Sequence, residues 1–375
     1  MSIRVTHRLH TAQKDYPIYV GSHLGQDIAQ FIKEKIPNAV RVCVISDSTV
    51  SALWAQKFED ALRAPADGSY ELSRISFPAG EEHKNIQTLS HLLEELAAHE
   101  LTRSDCVIAL GGGVTGDIAG LASALYLRGV KLIHVPTTLL SMVDSSIGGK
   151  TAIDLHAGKN LAGSFTQPEA VFVDVDFLST LSPEQFRDSC GEIIKYGVIQ
   201  DAHLFDMLRT KNLCELAHVA DSAAGAADNA DYLIHTIARC VEIKAGVVSQ
   251  DEHETGLRQT LNFGHTLGHA IEAALHFEQG HGTCVAQGMC MIARAAARLG
   301  ICEENVYEEI RDCVSAYGLP TSTDIDAKTL YTYAIHDKKR RGDHINVVFP
   351  VHIGEVVIQS LQLDEFMQMI RLTRP

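Results

Sequence analysis

A run of five apolar residues that ends in three glycines most restricts how this chain can fold. CVIAL (Cys106–Leu110) passes directly into GGGVTGD (Gly111–Asp117). A continuous apolar run of this length reads as a strand buried on both faces. Glycines at its end let backbone N–H groups approach an anion at the start of the helix expected over Ile118–Leu127, where the dipole favours negative charge. The pattern is neither the G-x-G-x-x-G fingerprint nor a Walker loop, because no Gly-Lys-Ser/Thr follows. The next strand, KLIHV (Lys131–Val135), also ends in donors, at Pro136-Thr137-Thr138. Two adjacent strand ends with donors mark a ligand crevice at the carboxyl edge of a sheet, and the expected ligand is a dinucleotide. Upstream, strand and helix alternate: Arg41–Ser46, Val50–Arg63, Tyr70–Phe77, then Asn85–Glu100 with Leu89, Leu92, Leu93 and Leu96 on one face. That alternation predicts a parallel, Rossmann-like sheet covered on both sides. Residues 1–21 read as short edge strands punctuated by Pro17 and Gly21.

VDSSIGGKTAIDLHAGKN (Val143–Asn160) is too rich in Gly and Ser for a helix and spaces Asp144, Lys150, Lys159 and Asn160 along glycine-hinged loops. Gln167–Leu178 reads as one more strand. Ser182-Pro183-Glu184-Gln185 then carries a capping residue, Pro at the first helical position and Gln at the third, which marks a helix start. The domain boundary falls there. Residues 1–181 form an α/β dinucleotide-binding domain, and residues 182–375 a mainly α-helical domain that binds metal and substrate.

In that second half, Glu192 and Lys195 share a face of the helix over Phe186–Ile199, and Lys244 lies on the apolar stripe (Leu233, Ile237, Cys240, Val247) of a helix over Tyr232–Val248. His265 and His269 leave one helical face a turn apart, and His281 follows in a turn flanked by Gly280 and Gly282. Two converging imidazoles need an anionic third partner to make an open zinc site, and Glu192 is the candidate. Beyond them come helices at Met289–Leu299 and Glu303–Tyr317, a basic turn at Asp337–Asp343, a strand pair and a last helix. The Ala/Asp-rich piece His218–Asp231 reads as an exposed loop.

A formal charge of −15 argues against a nucleic-acid or anionic-membrane surface, so cations for an anionic ligand must be gathered locally. No apolar run approaches a membrane span, and the start lacks a signal-peptide core. Nine scattered cysteines with no CxxC pair suit a reducing cytoplasm.

Read in order, GEEHK (Gly80–Lys84), GGGVTGD, YLRG (Tyr126–Gly129), PTTLL, VDSSIGGK, GKN, GEIIKYG, EIK (Glu242–Lys244), DEHETGLRQTLNFGHTLGHAIE, HG and DKK make the chain resemble the 3-dehydroquinate synthases. These are sugar phosphate cyclases on a polyol-dehydrogenase-like fold, and the resemblance spans nearly the whole chain. It implies zinc (or cobalt) bound by Glu192, His265 and His281, with His269 turned to the substrate phosphate instead of the metal. It implies NAD held by Gly80, Glu81, Lys84, Gly113, Val114, Thr115, Gly116, Asp117, Thr137, Thr138, Lys150, Lys159 and the segment Phe177, Leu178, Ser179, Thr180, with Asp47 at the adenosine ribose. The implied substrate contacts are Asp144, Lys150, Asn160, Lys195, Lys244, Glu254, Arg258, Asn262 and His269, with Lys338 or Lys339 from the basic turn and Arg128 from the neighbouring subunit of a homodimer. The chain departs from the family around His83 and lacks its usual Asn after the first parallel strand.

The implied reaction converts 3-deoxy-D-arabino-heptulosonate 7-phosphate to 3-dehydroquinate and phosphate by transient oxidation, phosphate elimination, re-reduction and an intramolecular aldol closure. An NAD-dependent polyol dehydrogenase on the same fold would need no cluster of Lys150, Lys195, Lys244 and Arg258 and would release NADH. Cyclases of sedoheptulose 7-phosphate or glucose 6-phosphate are a second alternative. A structural zinc in a nucleotide-binding regulator is a third.

Overall fold

The computed structural model describes residues 3–64, 70–216, 226–336, 340–341 and 343–374. The chain divides into two compact units, residues 1–181 with 230–249, and residues 182–229 with 250–375. The helical stretch 230–249, which a single cut after residue 181 assigns to the second domain, thus belongs to the first unit.

In the first unit the strands are β1 (Ile3–Leu9), β2 (Tyr16–Gly21), β3 (Arg41–Asp47), β4 (Glu71–Phe77), β5 (Cys106–Gly111), β6 (Lys131–Pro136), β7 (Lys150–Leu155), β8 (Gly158–Phe165) and β9 (Ala170–Asp174). Seven of them make one sheet in the order β1-β2-β9-β6-β5-β3-β4, parallel throughout except that β1 runs antiparallel to β2. Only β1 and β4 are edges. β2 lies inside the sheet with Tyr16, Ile18 and Val20 buried, which corrects its reading as an edge strand.

The helices here are α1 (Gly25–Lys35), α2 (Ser48–Val50) continued through a π-turn at Ser51–Ala55 into α3 (Gln56–Arg63), α4 (Ile86–Ala98) and α5 (Gly113–Leu125). Leu89, Leu92 and Leu96 of α4 pack with Ile118, Ala119 and Ala122 of α5 on Cys43, Ile45, Val107 and Ala109. The alternate strand residues Val42, Val44, Ile108 and Leu110 are also buried, so apolar side chains fill both faces. Burying each such leucine contributes roughly 1.5–3 kcal/mol.

Helix α5 begins at Gly113 rather than Ile118, with Gly112 extended at the N-cap, so the glycine motif is itself the first turn. The expected strand Gln167–Leu178 contracts to β9, because the Asp174 carboxylate accepts from Asp176 N and starts a 3-10 turn at Val175–Thr180. The glycine-hinged stretch resolves into a π-turn at Ser141–Ser145 and the antiparallel hairpin β7–β8. Lys150, Lys159 and Asn160 are therefore strand residues, not loop residues.

The remaining elements are α6 (Pro183–Gln200), α7 (Ala202–Thr210), α8 (Ala226–Gln250), α9 (His265–Ala274), α10 (His281–Arg298), α11 (Glu304–Ala316), α12 (Ala327–His336), β10 (Arg340–Arg341), β11 (His344–His352), β12 (Glu355–Gln362) and α13 (Leu363–Leu372). Helix α6 starts as its sequence predicts, with the Ser182 hydroxyl accepting from Gln185 N at 3.2 Å and Pro183 in the first position. Of the expected loop His218–Asp231, residues 218–225 lie outside the described residues and residues 226–231 form the first turns of α8. Helix α10 begins at His281, well before the expected Met289. Strands β11 and β12 pair antiparallel, Val347 opposite Gln359.

Candidate functional site

In the second unit three helices bring their side chains to one point. Glu192 projects from α6, His265 is the first residue of α9 and His281 the first of α10. Glu192 Oε1 lies 3.3 Å from His265 Nε2 and 3.5 Å from His281 Nε2. Donors around a zinc ion with bonds of about 2.0–2.1 Å stand about 3.3–3.4 Å apart in a tetrahedron. Glu192 Oε1 thus stands from each of the two imidazoles at the separation that donors to one such ion have. His269, one turn after His265, joins the cluster: one ring nitrogen of each of the three histidines lies within 4.8 Å of the others.

The outer hydrogen bonds orient these groups. His265 Nδ1 meets Phe263 O at 3.2 Å, and His281 Nδ1 meets Glu272 Oε2 at 3.3 Å. Fixing Nδ1 in this way turns Nε2 toward Glu192, as in histidines that ligate metals. Burial opposes a charge on His281, but Glu192 and Glu272 overcome it and raise the imidazole pKa to about 10. A cation that takes the Nε2 position must therefore displace a proton. Lys195 Nζ donates to Glu192 Oε2, and both side chains are only 1% exposed. Glu272 was not singled out from the sequence. Its position three residues after His269 and seven after His265 on one helical face was the available signal.

Two glycines let α9 and α10 approach closely enough for this. Gly264, the N-cap of α9, has φ of +82°, and a Cβ there would stand 2.6 Å from Val285 O. A Cβ on Gly288 would stand 2.1 Å from Gly264 O. Glycines that look like helix breakers in the sequence are here backbone contacts.

The turn before α9 is organised by Asp251, whose carboxylate accepts from the amides of Thr255 (2.9 Å), Gly256 (2.7 Å) and Arg258 (3.0 Å). Burial pushes its pKa up, but these donors win and hold it at about 2. Arg258 is buried and donates to Glu252 O at 2.5 Å, while Asn262 Nδ2 donates to Glu254 Oε1 at 2.6 Å.

In the first unit the connection passes from β4 at one side of β3 to β5 at the other, so the strand order reverses between β3 and β5. Open parallel sheets bind ligands at the carboxyl ends of such strands. Asp47 ends β3, capping α2 through Thr49 N (2.9 Å) and Val50 N (3.0 Å) and accepting from Thr115 Oγ1 at 3.2 Å. The ends of β5 and β6 are tied by Thr137 N donating to Gly111 O at 3.0 Å. A Cβ on Gly112 would meet Thr138 Cγ2 at 3.1 Å, and no side chain caps α5. This bare, donor-rich helix start at the reversal point fits a dinucleotide phosphate.

Beside it, Lys84 Nζ donates to Asp117 Oδ2 at 2.5 Å and to Asn160 Oδ1 at 2.6 Å, and Lys159 lies 3.5 Å from Glu81. Burial raises the Asp117 pKa to about 6 against the pull of Lys84. One network thus joins three motifs far apart in the chain, and it takes in Asn160, expected at the substrate. Phe177 and Leu178 are spent on packing: Phe177 meets the Trp54 ring edge-on, and Trp54 Nε1 donates to Thr180 Oγ1 at 2.8 Å. Ser179 is exposed, and Val114 and Gly116 lie in the first turn of α5.

Lys244, buried in α8, donates to Asp144 O at 2.5 Å and Asp144 Oδ1 at 2.8 Å, so the π-turn carrying Asp144 is pinned by a lysine from the apolar stripe. Lys150 is exposed at the start of β7. Arg128 is exposed with φ of +64° in the turn after α5. Gly80 has φ of +124° ahead of the turn carrying Glu81. Lys338 and Lys339 lie outside the described residues. Among the described residues no helix is long and apolar enough to cross a membrane.

Residues 74–188 match the family model for the 3-dehydroquinate synthase N-terminal region, and residues 189–340 that for its C-terminal region. The chain is 40% identical over 370 residues to a 3-dehydroquinate synthase of Clostridium acetobutylicum, covering 98% of this chain and 99% of that protein. It is 41% identical over 331 residues to one of Pelobacter propionicus, covering 88% and 89%. Among solved structures, a 2-deoxy-scyllo-inosose synthase complexed with carbaglucose-6-phosphate, NAD+ and Co2+ superposes with a TM-score of 0.82 at 26% identity, covering 98% of this chain and 99% of that one. The fold is shared with a 2-epi-5-epi-valiolone synthase of Streptomyces hygroscopicus at a TM-score of 0.83 and 24% identity, over 99% and 98% of the two chains.

Proposed function

The chain belongs to the 3-dehydroquinate synthase family, and from that premise we propose which of its residues convert 3-deoxy-D-arabino-heptulosonate 7-phosphate to 3-dehydroquinate and phosphate. The reaction is a phosphate-eliminating lyase reaction with no net oxidation. The observation that carries the reading is the open carboxylate–imidazole cluster of Glu192, His265 and His281, held by Lys195, Phe263 O and Glu272. Relatives near 40% identity favour this substrate over those of the cyclases met at 24–26%.

Glu192, His265 and His281 would hold zinc or cobalt, and the glycine turn of α5 with Thr137, Thr138, Glu81 and Lys84 would hold NAD. When bound, the ion supplies Lewis acidity to a substrate hydroxyl and NAD supplies a hydride acceptor that gives the hydride back. The chain's own groups bind and orient. Arg258 offers the forked donor that suits a carboxylate, with Asn262 and Glu254 hydrogen-bonded beside it in sequence. Lys195 fixes the Glu192 carboxylate, and His269 faces the phosphate as donor. Lys150 and Lys244 are further candidate anion ligands, Lys244 with Asp144 as its fixed partner. We propose further that the enzyme is cytoplasmic and a homodimer, with the exposed Arg128 reaching the neighbouring subunit.

The test is phosphate release from the heptulosonate phosphate with NAD far below substrate. Multiple turnovers without accumulating NADH are expected. Stoichiometric NADH would make the protein a polyol dehydrogenase.

A further inference from the structure

We propose that Asp188 is a positioning residue for the metal centre, tying the start of α10, and so His281, to the helix that carries Glu192. The inference rests on the reading that Glu192, His265 and His281 hold a divalent ion. Helix α10 has glycine at its N-cap, Gly280, and no cap from its own sequence. The cap comes instead from α6. Asp188 Oδ1 accepts from Thr283 N at 2.7 Å and from Thr283 Oγ1 at 2.7 Å, and Oδ2 accepts from Gly282 N at 3.2 Å. These are the donors an N-cap aspartate would satisfy, and the carboxylate also meets the positive end of the helix dipole.

Asp188 stands one helical turn before Glu192, so a single face of α6 presents both the cap and the anionic metal ligand. The chain leaves room for this arrangement at the two glycines flanking His281. A Cβ on Gly280 would stand 2.2 Å from Asp188 Oδ1, and one on Gly282 would stand 1.9 Å from Asp188 O. A local cap side chain at position 280 and the cap from α6 therefore exclude each other. The structure has the one that also fixes distance: His281 begins the capped helix, and its Nε2 lies 3.5 Å from Glu192 Oε1. A ligand must sit within a few tenths of an ångström of its bond length, so a start of α10 free to slide on α6 would weaken the site.

The experiment measures the affinity of the full-length chain for Co2+ by competition with a chromophoric chelator, together with the visible spectrum of the bound ion and the thermal midpoint. Asp188→Ala should weaken Co2+ binding about tenfold or more, the range seen when outer partners of metal ligands are removed. Asp188→Asn keeps a side-chain oxygen for the Thr283 donors and should stay within about threefold of wild type. The double variant Asp188→Ala/Gly280→Asp supplies a cap within α10 itself. It should regain thermal stability while its Co2+ affinity stays low, because the tie to α6 is still missing. It carries the comparison even if the single alanine variant folds poorly. Wild-type affinity and spectrum in Asp188→Ala, or full recovery of affinity in the double variant, would overturn the proposal and leave the metal reading intact. Wild-type protein that bound no Co2+ would overturn both.

Discussion

Replacing Glu192 with Gln probes the metal centre and its electrostatics separately. The substitution keeps the volume of the side chain and one carbonyl oxygen, so it opens no cavity. What it removes is the charge opposite Lys195, and both groups are 1% exposed. Stripping one partner from a buried ion pair costs about 3–5 kcal/mol, because the other charge stays in a poor dielectric. His281 also loses part of what holds its pKa at about 10, and with it part of the stability that a raised histidine pKa contributes at neutral pH. The expected loss in chelator-treated protein is thus at least about 3 kcal/mol, read by urea unfolding followed by far-UV circular dichroism as a lower midpoint at unchanged m. Zinc is then added at a hundred times its wild-type dissociation constant. Wild type should gain about 2.7 kcal/mol, the mass-action value, and Glu192→Gln close to nothing. A variant within about 0.5 kcal/mol of wild type in chelator, with the same gain from zinc, would refute both the buried-pair argument and the role of Glu192 as ligand.

Lys84→Met should weaken NAD binding about tenfold or more, because it breaks the bridge from Asp117 to Asn160 beside the glycine turn. The quenching of Trp54, the chain's one tryptophan and a partner of Thr180, gives the readout, and an unchanged dissociation constant would sink the assignment. His134 in β6 has its pKa pushed down to about 4 by burial. The unfolded chain takes up a proton there near pH 6.5 while the native protein resists, so stability should fall as pH drops from about 6.5 to about 4. His134→Leu should flatten the thermal midpoint across that window, and equal slopes in both proteins would refute it.

The sequence made most of the fold legible where physics is local. Ser182-Pro183-Glu184-Gln185 marked the start of α6 because a cap is settled within four residues. The strand CVIAL and its glycine turn were readable because a doubly buried strand has no polar residue to interrupt it. What stayed hidden depends on partners far along the chain. The sequence places the start of α10 at Met289 and reads Gly280 and Gly282 as flanking a turn at His281. Gly280 and Gly282 instead make room for Asp188, some ninety residues earlier, and Gly288 for Gly264. Glu81, Lys84, Asp117, Lys159 and Asn160 fall in three separate motifs of the sequence, and only the folded hairpin β7–β8 shows that they meet.

At the proposed metal site the donor set favours a catalytic over a structural ion. Structural zinc sites close with four protein donors, usually including thiolates. The thiol nearest Glu192 in sequence, Cys190, points elsewhere: its Sγ donates to Phe186 O at 3.3 Å and stands 3.9 Å from Cys214 Sγ. The cluster instead combines one carboxylate with imidazoles, each oriented from behind by an oxygen. His269 sits within reach of the same centre, where the proposed phosphate of the substrate would meet it. Lys195 already pairs with Glu192 and would share it with the proposed ion, so the carboxylate has a cationic partner without the metal. A site that is already compensated without its ion, and that keeps a position open when the ion is bound, is suited to polarising a substrate oxygen rather than to holding two helices together.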